Sequence, residues 1–211
     1  MATVQTILDS ARYDLGDYQT GLMWDDAELL VYLNRIVGIM DSQLATLNSD
    51  LVEAEETSID CVASQNYVDL SSMNSGLWDS IRQVWISQTR IVPISIDLMR
   101  YKRKFRSGTS KPYYYTVQDR TLLWDSASDD TYTGELAISY NKKTAVLTAS
   151  SSMPYNDIFN EFFRSQLVIY AKSKKEGGTQ GDAADAGSFR KRAMEEQIRR
   201  DFVKKYYYID F

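Results

Sequence analysis

Histidine is absent from the 211 residues, and cysteine occurs once, at Cys61. Without an imidazole there is no Ser-His-Asp or Cys-His nucleophile system of the usual kind, no imidazole acid–base chemistry and no His-bearing zinc site. One thiol can neither close an internal disulfide nor supply an all-cysteine metal site, which excludes a stapled secreted scaffold. No apolar run approaches the roughly 20 residues that a membrane-spanning helix needs, and Met1–Ser10 has neither a basic nor an apolar leader region. The expectation is a soluble, unexported chain with no membrane partner and no cofactor or metal.

What the chain does have is apolar content, tyrosine and segregated charge. At 44% hydrophobic it can bury a substantial core. Its 15 tyrosines include the runs Tyr113-Tyr114-Tyr115 and Tyr206-Tyr207-Tyr208. Tyrosine beyond core needs suits protein interfaces, because it buries area while keeping a polar tip. The formal net charge is −5, yet residues 1–60 hold twelve acids against only Arg12 and Arg35, a net of −10, leaving +5 behind. An acidic front and a basic remainder can meet head to tail in copies of one chain, or be two solvated faces.

Helical spacing is plain at both ends. Val4, Ile7, Leu8, Ala11 and Leu15 share one face of a first helix. Asp25, followed three residues on by Glu28, suits a capping box ahead of a second helix from Asp26 to Leu47 or beyond. Its stripe is Leu30, Leu33, Val37, Met40, Leu44, Leu47 and Leu51. After Pro154 a third long helix runs to about Lys175, and after the Gly177–Gly181 break a charged fourth spans Asp182 to about Lys205.

Between the helix pairs, short β-branched and aromatic bursts read as strands. They are Thr57–Val62, Asn66–Leu70, Ile81–Ser87, Arg90–Ile94, Tyr113–Val117, Thr121–Trp124 and Gly134–Tyr140, with a short helix over Asp97–Phe105. Pro93 cannot donate to a ladder, which assigns its strand to an edge or a bulge. The expected fold is α+β: an antiparallel helical bundle (1–55 and 153–205) with an antiparallel β-sheet insertion (56–152) between the second and third long helices, and an extended C-terminal tail (206–211).

Several clusters carry possible chemistry. Asp25-Asp26 and Asp129-Asp130 could ligate a divalent cation and support a hydrolase, but a helix start and a turn account for them. Arg100, Lys102, Arg103, Lys104, Arg106 and Lys111 form an acid-free basic run with Tyr101 and Phe105 interleaved. That composition could bind nucleic-acid backbone by counterion release, the alternative function for residues 100–111, or accept an acidic surface of a neighbour. Arg199, Arg200, Lys204 and Lys205 add bases on the last helix. The terminal Tyr206, Tyr207, Tyr208, Ile209 and Phe211 have no helical period that would bury them, and read as a docking peptide for a partner.

Trp24-Asp25-Asp26-Ala27-Glu28-Leu29-Leu30 with Tyr32-Leu33-Asn34 resembles the second-helix entry of head-to-tail adaptor proteins of tailed bacteriophages, also called connector, head-completion or tail tubular proteins. Val84–Ile96, Lys111-Pro112-Tyr113-Tyr114-Tyr115, the hairpin through Trp124, the strand ending at Tyr140 and the helix Tyr155–Lys175 are similar in order. Where such proteins often place prolines after the hairpin, Ser126-Ala127-Ser128 stands here.

The resemblance implies a non-enzymatic virion protein at the head–tail interface, assembled in the host cytoplasm. It implies a ring, usually of twelve copies, fastened beneath the portal protein. The distal face would receive the next tail component, whether nozzle, tail tube or second connector, and the C-terminal segment would insert into the portal. An acidic lumen would let genomic DNA slide during ejection without sequence recognition.

Overall fold

The computed structural model describes residues 2–17, 23–47, 49–106 and 108–175. The chain divides into two compact units, residues 41–145 and the segments 1–40 with 146–211.

In residues 41–145, seven strands pair into one sheet: β1 (Glu53–Glu56), β2 (Tyr67–Asp69), β3 (Trp78–Ile86), β4 (Thr89–Pro93), β5 (Tyr114–Gln118), β6 (Thr121–Trp124) and β7 (Leu136–Lys142). Their order is β1-β7-β3-β4-β5-β6-β2, curled into a half-barrel. Two register shifts along β3 help to bend it, because an extra residue on one strand kinks the ladder. Alternation sets the core: Leu136, Ile138 and Tyr140 of β7 point inward beside Val84, Ile86, Ile91, Tyr115, Leu122 and Trp124. Both two-residue hairpin turns, Ser87-Gln88 and Asp119-Arg120, hold positive φ at each central position, the twist that a tight antiparallel hairpin needs.

The sheet is mixed, since β4 and β5 run parallel with Val92 opposite Tyr114. The chain between them forms a helix, α3 (Ile96–Phe105), and a helical crossover brings the next strand back in the same direction. Pro93 lies at the end of a central strand rather than on an edge. Val92 donates to the Tyr113 carbonyl just before β5 and Ile94 to that of Tyr115 on it, so position 93 faces β3, beyond the last β3–β4 pair at Ile91. No ladder donor is lost there.

The other unit contains α1 (Val4–Asp14), the start of α2 (Asp26–Thr46) and α4 (Asn160–Lys175). Thr3 caps α1 by accepting from Thr6 N. The α1 face Val4, Ile7, Leu8 and Ala11 is buried, as are Leu29, Leu33, Ile36, Val37 and Met40 of α2 and Phe163, Leu167 and Ala171 of α4. Helices α1 and α4 pack together, joined by a forked Arg164–Asp14 ion pair. Helix α2 ends at Thr46, so Leu47 and Leu51 fall outside it and are exposed.

The expected helical bundle with a small antiparallel insertion is therefore corrected. Among the described residues there are four helices and a seven-stranded mixed sheet, and the sheet unit carries its own core. The local helical stripe of α2 outweighed strand pairings made over long separations, which periodicity does not display. Strand β1 illustrates this: Glu-Ala-Glu-Glu lacks β-forming residues, yet it pairs with β7, with Glu53 held by Arg82 and Ser139. The expected last helix, Asp182–Lys205, and the break before it lie outside the described residues.

Candidate functional site

Helix α3 follows its sequence closely. Ser95 caps it by accepting from Leu98 N, Asp97 lies in the first turn, and Lys102, Arg103 and Lys104 lie in the last. Each charge complements the helix dipole. Met99 is buried and anchors the helix, which packs against β5.

The six bases read as one run divide into two sets. Arg103 is committed to the fold: Nε donates to the Trp124 carbonyl at 2.7 Å and Nη2 to that of Asn66 at 2.8 Å. Burial lowers its pKa from the ordinary guanidinium value, with Asp125 opposing the shift. Arg106 pairs with Asp125, a carboxylate at 0% exposure that also accepts from the Tyr113 and Tyr114 amides at 3.0 Å each. The Lys102 ammonium lies 4.8 Å from the Tyr114 ring centroid. Lys111 donates to Thr89 Oγ1 at 3.2 Å and faces the Tyr132 ring. Arg100, in a 3.6 Å exposed pair with Asp97, and Lys104 point to water.

Beside those two bases runs an apolar stripe that the run of charges concealed. Leu98, Tyr101 and Phe105 are 42%, 57% and 71% exposed, and the Tyr101 and Phe105 rings touch with centroids 4.7 Å apart. Their i, i+3, i+7 spacing puts them on one helical face, a signal available in the sequence.

On the sheet, an open cleft of about 710 Å³ is lined by Glu55, Trp85, Ser87, Gln88, Gly134, Glu135 and Ala137. Trp85 and Ala137 are opposite each other on β3 and β7 and form the floor. Glu55 stands on the edge strand β1, and the Ser87 hydroxyl donates to the Glu135 carboxylate. Sequence reasoning missed this cleft because its walls come from three strands far apart in the chain.

The paired carboxylates are used structurally. Asp25 accepts from Ala27 N at 3.2 Å and Asp26 pairs with the buried Arg12. Asp129 accepts from the Tyr132 hydroxyl at 2.7 Å, and Asp130 from Thr131 N at 2.7 Å. Among the described residues, no group of three or more His, Cys, Asp or Glu is placed to hold a metal ion, and no helix is long and apolar enough to cross a membrane. The Ser126-Ala127-Ser128 segment is hydrogen-bonded: Ser128 N donates to the Gln65 carbonyl, a bond proline could not make. Arg199, Arg200, Lys204, Lys205, Tyr206, Tyr207, Tyr208, Ile209 and Phe211 lie outside the described residues.

Among the described residues, the sheet unit thus presents an exposed apolar helix face bordered by bases and an open cleft bordered by carboxylates. The chain belongs to the SU10 adaptor protein family, a phage head-to-tail adaptor family, whose model matches residues 2–205. No match is found among curated proteins. Membership makes it a phage adaptor of the virion, and implies contact with portal and tail components.

Proposed function

We propose that the protein forms a ring beneath the portal, extends the DNA channel and offers its distal face to the next tail component. The observation that carries this reading is the exposed aromatic and basic face of α3 on a chain of a head-to-tail adaptor family. An acidic N-terminal segment and a basic remainder support contacts between unlike surfaces, the kind that close into rings when the rotation fits. In this reading Tyr206, Tyr207, Tyr208, Ile209 and Phe211 anchor the ring to the portal, with Arg199, Arg200, Lys204 and Lys205 flanking them. A ring of twelve would carry a strongly negative formal charge and let DNA slide.

The test is electron microscopy of the protein mixed with its portal. Rings of adaptor density on the portal are the expected result, and unassembled monomers after long incubation would overturn the reading. Deleting residues 206–211 is expected to weaken portal binding, and full affinity without them would remove the anchor role.

A further inference from the structure

We propose that the α3 stripe of one copy seats in the sheet cleft of a second copy, so that the two surfaces are halves of one contact between subunits. The inference rests on the ring reading for its occupant and adds the residues that make the contact.

Four observations carry it. The stripe of Leu98, Tyr101 and Phe105 leaves large apolar side chains in water on a helix that Met99 and Arg103 already hold in place. Docking such a face costs little ordering, because the helix and its touching ring pair are preformed. The cleft offers a matching floor in Trp85 and Ala137, and its volume of about 710 Å³ is within the range of sites that enclose bulky groups. The rims match in charge. Arg100, paired with Asp97, and Lys104 border the stripe with a net positive charge, while Glu55 and Glu135 flank the cleft, and all are exposed.

A basic, aromatic knob and an acidic, aromatic hole are unlike surfaces, so one knob-in-hole contact between two copies leaves one knob and one hole unused. Such contacts propagate until the ring closes. Seating Tyr101 and Phe105 removes the exposed 57% and 71% of aromatic side chains that bury about 150–250 Å² each when fully covered, the kind of anchor that dominates interface energetics.

Charge reversal with full-length protein tests the pairing. Sedimentation velocity across rising concentration is run on the wild type, Arg100→Glu/Lys104→Glu, and Glu55→Lys/Glu135→Lys, with circular dichroism verifying that each folds. The wild type is expected to self-associate and each reversed variant to do so at least about ten-fold more weakly, the scale of losing an anchored contact. Mixing the two variants is expected to restore association, because every junction in an alternating assembly is again complementary. A third variant, Tyr101→Ser/Phe105→Ser, is expected to lose association without any change of charge.

Monomeric wild type at every concentration, unaltered association of the reversed variants, or failure of the mixture to recover would each overturn the contact. If both reversed variants still form rings on the portal, this contact fails while the ring reading stands. If the wild type makes no ring on the portal yet the charge-swapped mixture associates in solution, the ring reading fails while the contact stands.

Discussion

The buried guanidinium of the helical unit, Arg12, and the fully buried carboxylate of the sheet unit, Asp125, use charge in different ways. In the helical unit, charged side chains join elements: Arg164 forks onto Asp14 across α1 and α4, and the buried Arg12 reaches Asp26 at the start of α2. In the sheet unit, the one fully buried carboxylate among the described residues, Asp125, serves the backbone, fixing the Tyr113 and Tyr114 amides at the start of β5. Its guanidinium partner Arg106 closes the end of α3. The difference shows what a basic run means. Charges that read as one solvated or DNA-facing patch are divided by the fold into those that set the geometry of α3 and those, Arg100 and Lys104, that face outward.

The largest effects separate the two cores. Trp124 and Phe163 are both fully buried, one in each unit. Trp124→Ala and Phe163→Ala are each expected to cost about 3–5 kcal/mol, the usual loss when a large aromatic leaves a cavity. In thermal melts followed by calorimetry, Trp124→Ala and Phe163→Ala should lower different transitions, one for each unit. Equal displacement of one shared transition by both variants would break the distinction between the units.

Asp125→Ala is expected to cost about 3 kcal/mol, since two part-buried amides lose their acceptor, at about 1–3 kcal/mol for a fully buried one, and Arg106 loses its ion pair. Asp125→Asn keeps an acceptor oxygen and should cost less, as read from urea midpoints. Because Arg106 then loses its carboxylate partner, Asp125→Ala should also loosen the end of α3, seen as faster amide exchange over residues 102–106. If Asp125→Ala leaves that exchange unaltered, the ion pair does not fix the helix.

Much of this was legible in the sequence, and what was not follows one rule. Helices α1, α2 and α4 were readable because each signals itself within a few turns, as did the Thr121–Trp124 strand with its two-residue turn. The parallel pairing of β4 with β5 was implied by the helix between them, but helix and strands have to be taken together to see it. The Leu98–Tyr101–Phe105 stripe was legible at helical spacing and masked by the bases around it. The cleft was illegible, because Glu55, Trp85 and Ala137 become neighbours only through the β1–β7–β3 order.

The smallest expected effect distinguishes the units at alkaline pH. The described tyrosines whose phenols are pushed up, Tyr115, Tyr132 and Tyr140, all belong to the sheet unit, chiefly through burial. Tyr132 is raised to about 12, with Asp129 adding to the effect by accepting a hydrogen bond from the protonated phenol and by its own charge. In the unfolded chain a tyrosine titrates near 10. Between those values the folded state keeps a proton that the unfolded state has lost, so the stabilisation is complete below about pH 10 and disappears as pH rises towards 12. Tyr132→Phe removes the titration along with the hydrogen bond to Asp129. Its urea midpoint should fall below the wild-type value at pH 8, by about 1 kcal/mol for one hydrogen bond, and the difference should narrow by pH 11. A gap that stays constant over that interval would mean that the phenol titrates alike in both states, and that the alkaline sensitivity of the sheet unit lies with Tyr115 and Tyr140.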